Sequence, residues 1–261
     1  MRPQGGACLH LEGIAWQATG LAVGACGPTI LTMGDAAPSE AAGGGGGTEA
    51  VAPVKPRLRG VSHEVAAFVF PALGLFLVLV APATSQVPVA IYTAGVTAMY
   101  ATSACYHRGR WSISAKQRMR RLDHSMILIG IAATYTPIAA IGLDASTARA
   151  LLTAVWALAA GGIVVRNVWL GAPRWLVPAV YVAIGWTALA VLPALWSQLG
   201  GATFALLLLG GLVYSLGALV YGRRRPDPVP AVFGYHEVFH ALVLLAGLIF
   251  YAAVARVAIT A

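Results

Sequence analysis

The sequence predicts an all-α membrane protein: a bundle of seven transmembrane helices with the N-terminus cytoplasmic and the C-terminus external. Three observations carry this prediction. Of 261 residues, 59% are hydrophobic and only 10% charged, with a mean hydropathy of +0.77, whereas a soluble domain carries about a quarter charged residues. So few charges cannot cover a globule of this size, so much of its surface must face lipid. From residue 60 onward, apolar stretches alternate with short polar ones. Finally, the basic residues gather in alternate connections.

The chain divides near residue 56. Residues 1–56 hold the glycine run Gly43 to Gly47 within a Gly/Ala/Pro-rich tract. Such a tract buries too little apolar surface to offset its conformational entropy, so a disordered tail is expected. The apolar stretch from Leu21 to Met33 lacks the basic lead of a signal peptide and is diluted by glycine and proline. Met33 offers an alternative start. Cys8, Cys26 and Cys105 show no CxxC spacing and form no readable disulfide framework.

Residues 57–261 form the expected seven-helix domain. Spans are expected at 64–81, 87–106, 124–143, 150–165, 175–195, 202–222 and 235–255, each near the roughly 20 residues that cross a bilayer core. The fourth is the shortest, and Arg149 and Arg166 can snorkel from its ends. Interior glycines such as Gly74, Gly130, Gly162 and Gly210 suit close approach of membrane helices. With the N-terminus inside, 14 of the 17 Lys and Arg residues fall in inner segments, against Arg149 and Arg256 outside. That asymmetry sets the orientation in the inner (plasma) membrane. It also accounts for the net charge of +8 without nucleic acid as a partner.

The polar residues inside the spans carry the chemistry. Glu64, at the start of the first span, reads as an interfacial helix-start acid. Asp123 and Glu237 open spans three and seven, where an intramembrane carboxylate must be paired or employed. His107 ends span two, His124 follows Asp123, and His236 and His240 open span seven, so four histidines share the inner layer. His236 and His240, four residues apart, lie on one helical face and can ligate one zinc ion. Three neutral imidazoles leave a fourth tetrahedral position for water, and Asp123 can accept a hydrogen bond from that water or orient a ligand. Ser103 and His107 form a second pair at the same spacing. His124 points away from Asp123's direction and is expected outside the ligand set, while His63 and His10 are expected to be incidental.

In four ordered pieces the chain resembles the hemolysin III family, the bacterial branch of the progestin and adipoQ receptor proteins. The pieces are Ser103-Ala-Cys-Tyr-His107, Arg121-Leu-Asp123-His124, Tyr135-Thr-Pro137 and Phe233-Gly-Tyr-His236-Glu-Val-Phe-His240. The resemblance covers about residues 57 to 256. It implies zinc on His107, His236 and His240 near the cytoplasmic face, Asp123 against a water on the metal, and Ser103 supporting the site. It also implies a link to lipid amide hydrolases such as alkaline ceramidases, with a membrane lipid as substrate or ligand.

Three functions stay open at this level. The first is a zinc hydrolase of lipid amides, with Asp123 as general base. The second reads His236-Glu237-Val-Phe-His240 as a protease motif, with Glu237 as base and Asp123 as third ligand. The third is a non-enzymatic sensor or a cytolysin holding a structural zinc.

Overall fold

The computed structural model describes residues 55–169, 173 and 175–260. The expected tail, except Lys55 and Pro56, lies outside the described residues, as do His10 and Arg174. Among the described residues the regular structure is helical, with one isolated β-bridge between Val229 and Phe233 in the connecting segments. The helices are α1 (Val61–Val80), α2 (Ala83–Arg108), α3 (Ile113–Gly142), α4 (Ala145–Val168), α5 (Leu176–Gly185), α6 (Leu192–Arg223) and α7 (Tyr235–Thr260), with a 3₁₀ stretch, Trp186–Val191, between α5 and α6.

Among the described residues, five helical runs are long and apolar enough to cross a membrane. Their outer faces carry large apolar side chains, with Phe68 77% and Leu79 71% exposed. An apolar exterior on this scale needs a lipid solvent. The chain is a multi-pass membrane protein.

The helices outrun the hydropathic segments because capping, not apolarity, decides where a helix starts. Ser112 accepts the Ala115 N–H and starts α3 eleven residues before the expected span. Asp144 accepts N–H bonds from Ser146 and Thr147 at 3.1 and 3.0 Å and starts α4. Gln198 exchanges two hydrogen bonds with Asp144, one with its N–H and one with its carboxylate, tying this turn to α6.

The run Leu176–Arg223 is 48 residues of nearly continuous helix, yet it is not straight. Trp186 Nε1 donates to Ser215 Oγ at 2.9 Å, whereas 29 residues of straight helix would separate them by about 43 Å. The reversal falls at Gly200, whose φ of 73° and ψ of 161° are open to glycine and strained for other residues.

The 3₁₀ stretch leaves backbone groups that lipid cannot satisfy. Tyr135 serves them from α3, donating to the Gly185 carbonyl at 2.5 Å and accepting the Ala188 N–H at 3.0 Å. Tyr135→Phe is therefore expected to cost about 1–3 kcal/mol, the penalty for an unmet buried polar group. A thermal-unfolding comparison in detergent checks this, and an unchanged midpoint would count against it.

At the core, α7 packs against α6, α3, α1 and α2. It also buries Val243, Ala246, Ala253, Val254, Val257 and Ala258. Because α7 is central, residues in its first turns face the ends of several helices at once. That placement builds the site.

Candidate metal centre

The site sits where α2 ends and α7 begins. His107 lies one residue before the end of α2, and His236 and His240 occupy the first two turns of α7. The local chain brings these ends together. Gly60, preceding α1 with φ 82°, lies so close to α2 that a Cβ there would sit 2.6 Å from the His107 Cβ. Lys55 donates its ammonium to the His107 carbonyl, an unsatisfied acceptor at the α2 C-terminus.

Candidate ligand nitrogens of His107, His236 and His240 lie within 4.8 Å of one another. The Nε2 atoms of His107 and His236 are 3.2 Å apart. Nitrogens bound to one tetrahedral zinc at 2.0–2.1 Å would stand roughly 3.3 Å apart, so this edge already has the right length. His240 is 2% exposed and its Nδ1 has no hydrogen-bond partner, a cost that a bound cation or an ordered water would relieve. Three imidazoles are a donor set suited to zinc.

His63, expected to be incidental, is buried inside the cluster. Its ring stacks on that of His240 with centroids 3.8 Å apart and planes 5° from parallel. Its Nδ1 shares a 2.8 Å hydrogen bond with Ser103 Oγ. The sequence held one signal for this: Ser103 stands one turn before His107, on the face that meets α1. The His63 position became meaningful only when α1 packed there.

The remaining polar residues divide clearly. Asp123, 8% exposed, lines a cavity of about 60 Å³ together with His63, Ser103, His236 and His240. His124 lines the same cavity but lies outside the group of three imidazoles, its Nδ1 accepting from Arg166 at 2.8 Å. Glu237, 3% exposed, forms a part-buried ion pair with Arg59 and accepts the Gly234 N–H at 2.9 Å. The second contact is half of a capping box, which fixes the start of α7. Both carboxylate oxygens of Glu237 are thus occupied structurally, which leaves it poorly placed to act as the base of a zincin. Glu64 pairs with Arg108 at 2.8 Å on the exposed rim, a contact of little energetic weight.

Two larger spaces flank the site. On one side, a mainly apolar chamber of about 130 Å³ is lined by residues such as Val96, Leu151, Phe204 and Phe250, and it shares Met99, Tyr181 and Tyr214 with the small cavity. On the other side, a wide basic vestibule of about 1320 Å³ shares Asp123, His124 and His236 with it. The imidazoles stand between an apolar chamber and a polar, basic vestibule.

A family model described as Haemolysin-III related matches residues 51–251. The "Hemolysin-3 homolog" of Bacillus subtilis (strain 168) is 32% identical over 188 residues, covering 71% of this chain and 83% of the relative. "Hemolysin-3" of Bacillus cereus is 34% identical over 124 residues, covering 47% and 53%. No solved structure matches the chain.

Proposed function

The chain belongs to the hemolysin III family, and from that premise we propose that it holds zinc on His107, His236 and His240 and hydrolyses an amide bond in a membrane lipid. The observation that carries this reading is the position of the three converging imidazoles, between an apolar chamber and an aqueous vestibule. A lipid can lay its chain in the first while water arrives from the second. In the proposed topology the runs before and after Gly200 count as separate passes and α2 is a further one, giving seven. The basic vestibule then faces the cytoplasm, as the distribution of Lys and Arg requires.

Zinc in this place supplies Lewis acidity, making water nucleophilic near neutral pH and polarising a carbonyl. The chain's own residues do the rest. Asp123, a buried carboxylate on the wall shared by the small cavity and the vestibule, takes the proton of the attacking water and passes it to the departing amine. Ser103 and His63 form a hydrogen-bonded pair behind His240 and hold that ring by stacking. The apolar chamber orients the acyl chain and keeps bulk water from the reacting carbonyl.

The occupied carboxylate of Glu237 favours this reading over a protease built on the same motif. The test is release of fatty acid from a long-chain N-acyl sphingoid lipid by the purified protein in phosphatidylcholine vesicles. Turnover should stop on chelation and return with added zinc. Absence of release in every zinc-loaded preparation, or release indifferent to chelation, would sink the hydrolase. Dye leakage from the same vesicles would then mark a cytolysin.

A further inference from the structure

We propose that the basic vestibule binds one phosphate-bearing anion beside the imidazoles, held chiefly by Arg166 and Arg120. Membrane orientation requires only that cations lie at this end of the bundle. Arg118 and Arg225 meet that requirement from outside the vestibule wall, whereas Lys55, Arg59, Lys116, Arg120, Arg166 and Arg224 line it. Against these six stand Asp123 and Asp227.

Hydrogen-bond partners separate the structural cations from the available ones. Arg59 is neutralised by Glu237. Asp227 accepts the Tyr235 N–H at 2.7 Å, helping to start α7. Arg166 is half-buried, and among the described residues its charge meets no carboxylate. Its Nε and Nη2 instead donate to His124 Nδ1 at 3.1 and 2.8 Å. A guanidinium has no acceptor, so that imidazole nitrogen must be the acceptor and His124 must be neutral. The histidine fixes the plane of the guanidinium without cancelling its charge.

Partial burial of a cation without counter-charge is costly and is normally balanced by an anion. Arg166 retains the rest of its five donors for that purpose. Arg120 and Lys116, one helical turn apart on α3, approach the same space from another wall. Cations arriving from several directions suit the three oxygens of a phosphate better than a flat carboxylate. The phosphate belongs either to a lipid headgroup or to free inorganic phosphate. Only this choice of source rests on the lipid reading of the metal centre; the anion site itself does not.

The experiment uses the full chain in phosphatidylcholine nanodiscs. Bound phosphatidic acid is counted by native mass spectrometry, and inorganic phosphate is titrated by calorimetry. One anion per chain is expected. Arg166→Gln and Arg120→Gln should each weaken it roughly tenfold or more, as loss of a charge-assisted contact implies. Arg118→Gln and Arg225→Gln should leave it unchanged. Arg120 is exposed, so its variant tests the site even if Arg166→Gln fails to fold. Binding of phosphatidic acid that inorganic phosphate does not displace identifies a headgroup site, and equal competition identifies free phosphate; both support the inference. Equal weakening by the two outside variants, or no binding of either probe, overturns it. Zinc is measured in the same samples: anion binding without zinc defeats the metal reading alone, and zinc without anion binding defeats this one alone.

Discussion

His107→Ala is expected to purify with roughly a tenth or less of the wild-type zinc. A structural or catalytic zinc needs at least three protein donors, and His107 is the donor that comes from outside α7. Without it, His236 and His240 remain a two-ligand face on one helix, a much weaker chelate. The fold should tolerate the change, because His107 sits at the end of α2 rather than in the apolar core. Two comparisons sharpen the result. His124→Ala should keep its zinc, since its ring is engaged with Arg166. His63→Ala should keep the ligands but lose the stacked support of His240, weakening affinity by about 10–100-fold, as removal of outer partners of a ligand commonly does. Elemental analysis of the purified variants decides between arrangements. Full zinc in His107→Ala would mean that the third donor is a carboxylate, and Asp123 would be the candidate.

The elements legible in the sequence were those that repeat at a helix's own period or obey membrane electrostatics. His236 and His240 are neighbours on any helix, and the shared depth of His107 followed from counting spans. What stayed hidden depended on packing between distant segments. His63 looked ordinary at the start of α1, because its partners, Ser103 and His240, are 40 and 177 residues away. The protease reading could give Glu237 the role of base because the local pattern cannot reveal that Arg59 would fold over it. Hydropathy also could not locate helix ends. Ser112 and Asp144 extend α3 and α4 beyond the apolar segments, since backbone capping is blind to membrane thickness. The Tyr135-Thr-Pro137 piece was visible as a pattern, but its physical reason lay in the 3₁₀ stretch it satisfies on another helix.

Asp123→Asn separates a metal centre that does chemistry from one that only staples helices. Asparagine keeps the size of the side chain and an oxygen acceptor, so packing against the small cavity should survive. It cannot take up a proton from water. If Asp123 is the general base, zinc content and thermal stability should stay near wild type while lipid amide turnover falls by roughly 10²–10⁴-fold. The two readouts fail differently. A structural role for Asp123, orienting an imidazole by a hydrogen bond, would lower zinc affinity together with any activity. A base would lower kcat alone and leave the metal in place. Retained zinc with undiminished turnover would remove Asp123 from the mechanism. The proton would then have to leave through a group on the vestibule side, whose wall carries the hydroxyls of Tyr106, Tyr221 and Tyr235.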